Sequence, residues 1–431
     1  MVVPFYSCTM DTPGALDPSF GGDPAPGLVV TDVGGLDSAR AIIRQPDGKL
    51  VAAGSNGSDF VLVRYNTDGS LDSSFGDQGI VTTDINSNTN EANALIIQPD
   101  GKLVAAGYAF SGGQKFALAR YNPDGTLDDS FGDEGIVVSD FGIVINALII
   151  QPDGKLVAGG RGTGTAFGLA RYLSDGTLDP DFGNQGTVIT PIGIADILNA
   201  LIIQPDGKLV AAGRANIAGD VNFALARYNP NGTLDDSFGN GTGIVTTDFA
   251  GTGAQDEANA LIIQSDGKLV AAGRTGTAAV ANFALARYLT NGDLDPSFGD
   301  GGKVTTDFNV AQDIAFALRL QPDGKLVAAG QTGIGVASNF ALARYLTNGN
   351  LDSSFGGGSL GPKPGTVITD FDAGEDIARA LVFQAEGTQL KLVAAGRGTI
   401  AGDANFGLAQ YFLINNLSPL ASAAIAKYCL N

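Results

Sequence analysis

The sequence predicts an all-β fold, a seven-bladed β-propeller of four-stranded antiparallel blades. Three observations carry that expectation. Seven copies of one ordered motif set run through the 431 residues. Each copy holds four short runs with strand patterning, separated by turns rich in Gly, Pro, Asn and Asp. The sets are also out of phase at the two ends, so that the chain opens on the last piece of a unit whose other pieces stand near its C-terminus. Complementary end fragments are what a ring requires, and a linear solenoid, which needs terminal caps, gives no reason for them.

The first motif, Q-P-D-G-K-L-V-A-A-G, begins at Gln45, Gln98, Gln151, Gln204, Gln264 (as Q-S-D-G), Gln321 and, with an insertion, Gln384. The starts lie 53 to 63 residues apart, near the periods of kelch and WD repeats. The apolar run A-L-I-I-Q ahead of it and K-L-V-A-A-G behind it form a hairpin, because Pro presets its own φ and Gly accepts a positive one. The third strand is F-x-L-A-R-Y, starting at Phe60, Phe116, Phe167, Phe223, Phe283, Phe340 and Phe406. Its alternation puts Phe, Leu and Arg on one face and small residues with Tyr on the other, as in a strand packed on both sides. An Asn/Asp-Gly turn then leads to L-D-x-x-F-G, starting at Leu16, Leu71, Leu127, Leu178, Leu234, Leu294 and Leu351. The fourth strand follows as a short β-branched run such as G-I-V-T-T-D-F. No long segment keeps a 3.6-residue apolar period, so helices should be scarce.

The copy of L-D-x-x-F-G at Leu16 precedes the first hairpin, and none follows Phe406. The expected closure therefore has the N-terminal segment, residues 16 to 33, supply the outer strand of the last blade, which removes the open seam of an incomplete ring. The expected organisation is a lead (1–15), one propeller domain (16–411) and a tail (412–431) packing near the N-terminus. The two cysteines, Cys8 and Cys429, fall outside the repeats at opposite ends. In a ring those ends meet, so a disulfide would lock the closure and mark an oxidising compartment; two unpaired thiols are the alternative. Residues 1 to 10 lack the basic start of a signal peptide, and no run of about 18 apolar residues is present to span a membrane.

In its motifs, Q-P-D-G-K with a following V-A-G, F-x-L-A-R-Y, the Asn/Asp-Gly turn and L-D-x-x-F-G, the chain resembles the delta-60 repeat family of bacterial proteins from Leu16 to Tyr411. The resemblance implies a propeller scaffold of surface or secreted proteins without a shared activity. The chain departs from the pattern at Gln410, which stands where other units have Arg, and at Pro191, which replaces the Asp ending other fourth strands.

Composition narrows the chemistry. The chain has no His and no Trp, which excludes Ser-His-Asp and Cys-His catalysis and His-ligated zinc. The net charge of -20 disfavours nucleic acid and anionic membranes. Paired carboxylates remain, but most acids recur in every unit and read as architecture. The repeated Arg64, Arg120, Arg171, Arg227, Arg287 and Arg344 are expected to form structural ion pairs, with Asp72, Asp128 and Asp235 or with Asp84, Asp140 and Asp248. Turns such as Asn122, Asp124 and Asp128 do not meet EF-hand spacing, so no metal site is assigned; a channel-bound cation such as calcium is the alternative.

Variation between units points to function. Loops joining second to third strands, and fourth strands to the next blade, emerge on one face and vary, while the tight-turn face is uniform; function sits on such loops. At the entrance to the first strands stand Asp37, Asp196, Asp256, Asp313 and Asp376, with Glu91 and Glu257 one place later. Gathered by a ring, they are expected to form an acidic channel mouth, with Tyr108 and Phe110 as loop contacts. The expected function is a non-catalytic binding or adhesion scaffold, extracellular, on the cell surface or periplasmic, recognising a protein or glycan. A carboxylate-based or cation-dependent hydrolase or lyase at an acidic mouth, and a structural subunit of a surface assembly, are the alternatives.

Overall fold

The computed structural model describes residues 12–414, apart from 23, 86–88, 250, 252, 310–311, 373 and 387–388. Seven four-stranded antiparallel sheets make up the described residues, which also hold two one-turn helices, Thr163–Thr165 and Gly335–Ala337. We number the blades in chain order by their inner strands: Ser38–Arg44, Asn90–Ile97, Gly142–Ile150, Ile197–Ile203, Glu257–Ile263, Asp313–Leu320 and Ile377–Glu386.

Blade one shows the plan. Strands Ser38–Arg44, Leu50–Ser55, Phe60–Tyr65 and Ile80–Thr83 lie side by side in chain order. The Gln45 N–H bonds to the Lys49 carbonyl at 2.8 Å and the Gly48 N–H to the Gln45 carbonyl at 2.9 Å, closing the first hairpin. Gly48 takes φ 94 there, a conformation that side chains disfavour. The second strand, L-V-A-A-G-S, is buried along its whole length, because neighbouring blades cover both of its faces; its alanines let them approach.

The seventh blade draws on both ends of the chain. After Gln389–Ile400 and Asp403–Ile414, its outer strand is Leu28–Thr31, with Leu28 opposite Ala409 and Thr31 opposite Phe406. Its third strand runs on through Ile414, past the expected boundary at 411, and buries Phe412 and Leu413. Cys8, Cys429 and the rest of the expected tail lie outside the described residues.

The core is divided among the interfaces between sheets. Phe60, Leu62 and Phe75 of blade one pack on Ala92, Leu95 and Ala105 of blade two, and Val393 and Leu408 of blade seven pack on Ile42, Leu50 and Ala52 of blade one. Polar links cross the same interfaces. Tyr121 and Thr83 share a hydrogen bond of 2.8 Å, and the Tyr411 hydroxyl bonds to that of Thr369 at 2.8 Å.

Each repeated arginine is tied to the Asp of L-D-x-x-F-G. Arg120 Nε meets Asp128 Oδ2 at 2.6 Å, its guanidinium lies over the Phe131 ring, and Nη1 donates to the Ser174 carbonyl on the next blade. Lys102 reaches the same carboxylate at 2.8 Å. Arg64, Arg171, Arg227, Arg287 and Arg344 repeat the pattern on Asp72, Asp179, Asp235, Asp295 and Asp352. The fourth-strand Asp140 instead meets Lys115. Where Gln410 replaces the arginine, Lys391 pairs with Asp17 of the N-terminal copy.

Candidate functional site

The seven acids predicted to line an open mouth divide into two groups. Asp37, Asp196, Asp256, Asp313 and Asp376 are fully buried, which corrects the expected acidic funnel. Each holds the loop that arrives from the preceding blade. Asp37 accepts from the Val33 N–H and Asp196 from the Ile192 N–H, both at 2.7 Å. Asp256 accepts from the Phe249 N–H and the Thr275 hydroxyl, and Asp313 from the Phe308 N–H and the Thr332 hydroxyl. Asp376 takes the N–H groups of Phe371 and Thr399. An acid at a loop entrance next to unpaired backbone donors is drawn in to satisfy them. Burial raises the carboxyls of Asp37 and Asp256 and pushes those of Asp313 and Asp376 up to about 6, against the pull of these hydrogen bonds.

Glu91 and Glu257 do stand at the channel, but they are matched by cations. Arg40 Nε lies 2.6 Å from Glu91 and Arg214 Nη1 lies 3.4 Å from Glu257. The arginines come from two registers that the sequence reading missed. The first is a β-bulge early in every inner strand, where one residue has no partner on the second strand and turns to the axis. The bulge residues are Arg40, Asn93, Asn146, Asn199, Asn259, Phe316 and Arg379. The second register is the residue after V-A-A-G, which includes Arg161, Arg214, Arg274 and Arg397, each opposite the residue just ahead of the bulge dipeptide. The available signal was variation at one fixed place: Arg, Asn or Phe before A-L-I-I in otherwise uniform units.

The seven bulge residues, with Glu257, Arg274 and Ile314, line a cavity of about 310 Å³. Asn93, Asn146, Asn199 and Asn259 each donate to a carbonyl of the next blade, those of Ile145, Leu198, Ala258 and Ala315, at 2.8 to 3.0 Å. This relay fixes the asparagines around the axis. Arg379 lies with its Cζ 3.9 Å from the centre of the Phe316 ring. Burial, with Arg40 and Arg397 nearby, holds its guanidinium below the ordinary arginine value.

Around this mouth the variable loops expose apolar side chains. Leu36 and Ile194 stand on loops between blades, Phe110 and Ile217 at the ends of second strands, and Val280 and Ile334 on loops between second and third strands. Leu36 is 69% exposed and Ile194 73%. Tyr108 sits lower, half-buried opposite Glu91; burial and that carboxylate raise its hydroxyl. On the other face the turn acids hold their own backbone. Asp124 accepts from the Thr126 N–H and hydroxyl. No cluster of three or more Cys, Asp or Glu able to hold a metal is present among the described residues, and no helix among them is long and apolar enough to cross a membrane.

The family model described as "Domain of unknown function (DUF5122) beta-propeller" matches residues 45–75, 98–131, 151–182, 204–238, 264–298 and 321–355. Every segment starts on the Gln of the first hairpin and ends on the Phe of L-D-x-x-F-G. The chain fits a β-propeller repeat family. No curated protein matches it. Among solved structures, one similar to it is an ulvan lyase of polysaccharide lyase family PL25 bound to -[GlcA(1-4)Rha3S]-, at 10% identity and TM-score 0.47 over 98% of both chains. The polysaccharide lyase Uly1 follows at 12% identity and TM-score 0.43, over 87% of this chain and 90% of that one. A tail fiber of Staphylococcus aureus phage P68 is similar at 12% identity and TM-score 0.30, over 75% of this chain and 50% of that one. With every TM-score under 0.5, none bears on what this propeller-repeat chain does.

Proposed function

We propose that this propeller-repeat chain is a non-catalytic binding scaffold, extracellular, on a cell surface or periplasmic, that takes a protein or glycan partner on its variable-loop face. The observation that carries the reading is the placement of exposed apolar side chains. Of ten large ones exposed among the described residues, Leu36, Phe110, Ile194, Ile217, Val280 and Ile334 stand on the loops or strand ends of that face. The blades hold them around a concave polar centre, where exposed apolar side chains next to polar groups give a partner surface to bury. The opposite face is built of near-identical turns whose polar groups are already satisfied by their own backbone.

The test is a screen of glycans and proteins with the wild type and with a variant carrying Leu36→Ser, Phe110→Ser and Ile194→Ser. These side chains are exposed, so the variant should keep the wild-type melting temperature within a few degrees and lose about tenfold or more in affinity for whatever partner the screen finds. Equal binding by the two proteins would remove these side chains from the partner's footprint.

A further inference from the structure

We infer that the channel mouth is a site for the carboxylate of an acidic sugar unit, held by Arg379 above Phe316; this deepens the binding reading given above and rests on it. Six arginines belong to these two registers, with three glutamates beside them, and Arg161 among them carries an Nε buried without a hydrogen-bond partner. Arg40 has Glu91, Arg214 has Glu257, Arg397 has Glu375, and Arg274 donates to the Gln255 amide oxygen. Among the described residues Arg379 meets no carboxylate within ion-pair distance; its Nε, like that of Arg161, Arg274 and Arg397, is buried without a hydrogen-bond partner, and it alone of the six lies over an aromatic ring, that of Phe316. A guanidinium shielded on one face by an aromatic ring keeps its in-plane N–H fork available, and that fork matches a carboxylate bidentately. The cationic surplus lies in a concave mouth, where it is felt more strongly than on a flat surface.

The rest of the site selects the kind of acid. About 310 Å³ is the lower end of ligand pockets, room for one small unit and too little for a protein surface. Asn199 and Asn259, locked by their links to the next blade, present amide edges suited to hydroxyl groups. A run of acidic residues in a peptide would be repelled by a chain of net charge -20, whereas a unit bearing a single carboxylate meets the local arginines with little of that opposition.

The experiment is isothermal titration of the full chain with sodium D-glucuronate, D-glucose, sodium sulfate and a short poly-glutamate peptide. Glucuronate should bind about tenfold or more tightly than glucose and lose that advantage in Arg379→Gln, with Arg379→Lys in between because a point charge replaces the fork. If Arg379→Gln does not fold by circular dichroism, Arg274→Gln takes its place and should weaken glucuronate about threefold. Glucuronate binding no tighter than glucose, or unchanged by these variants, overturns the site. Sulfate or the peptide binding as tightly as glucuronate overturns the assignment to a sugar acid. A partner from the screen that binds wild type and Arg379→Gln alike sinks this site and leaves the scaffold reading standing; glucuronate binding with no partner on the loop face does the reverse.

Discussion

Asp313 shows how much a single residue's surroundings decide. In sequence it is an acid at a loop entrance, indistinguishable from one bathed in water. In the fold it has no exposed surface, and burial outweighs its bonds from the Phe308 N–H and Thr332 hydroxyl, pushing its carboxyl up to about 6. Because the folded value lies above the unfolded one, the native state holds the extra proton between about pH 4 and 6, so this residue's contribution to stability falls as pH rises through that window and is level above it. Asp313→Asn, which mimics the protonated acid, should therefore gain on the wild type by on the order of 2 kcal/mol between acidic and neutral pH. Urea unfolding of both proteins at about pH 4 and pH 7 checks this; a difference that is the same at both values would show that Asp313 does not titrate in that range. The repeated Asp128 behaves in the opposite sense. Its carboxyl is held far below the usual range because Lys102, Ser130 and Arg120 together outweigh its burial, so its contribution is full at neutral pH and disappears only in acid.

At the scale of the element, the V-A-A-G strand and its bulged partner form one device. The Gly of V-A-A-G faces the strand just ahead of the bulge, where the partner's backbone presses inward. A Cβ at Gly213 would lie 1.9 Å from the Ile197 carbonyl oxygen, and the same approach of 1.8 to 1.9 Å recurs at Gly54, Gly107, Gly160, Gly273, Gly330 and Gly396. The glycine is what allows the bulge, and the bulge is what aims Asn199 at the axis. Gly213→Ala should cost about 3 kcal/mol or more, since backbone rather than a yielding side chain stands in the way. Its denaturation midpoint measured beside wild type decides the matter, and a near-neutral result would mean that the bulge relaxes easily. The four strands per unit were legible from period and turn chemistry; the bulge was not, because it depends on pairing with a strand beyond the hairpin turn. That is why Arg40 and Arg379 went unnoticed as channel residues.

On the scale of the whole molecule, cohesion comes from interfaces that repeat around an axis, so the contact between first and last blades matters as much as any other. Val29, on the outer strand of the seventh blade, is packed with Phe20, Val393 and Leu408. Val29→Asp should destabilise by about 3 kcal/mol or more, as an unpaired carboxylate would enter that cluster. The matched change Val138→Asp, on the outer strand of blade two where the side chain is 38% exposed, should stay within about 0.5 kcal/mol. Thermal melts of the two variants side by side test it, and equal losses would mean that the N-terminal strand is not specially buried. The same scale explains a chain of net charge -20 with arginines at its centre: acids are spread over turns and edges throughout the units, while seven inner strands bring the few variable positions to one axis.

By itself the sequence determined the repeat, the four strands, the turn chemistry and the count of seven, because these rest on local periodicity and on backbone preferences of Gly, Pro, Asn and Asp. It also named the arginines that need a carboxylate. Only the tertiary structure decided which acids are buried and which side chains meet at the axis. Asp37 and Glu91 look alike as entrance acids in the chain, yet one is enclosed by backbone donors and the other pairs with Arg40 of the neighbouring blade. Burial and convergence depend on neighbours about 50 residues away, and a one-residue bulge reverses which side of a strand a residue shows.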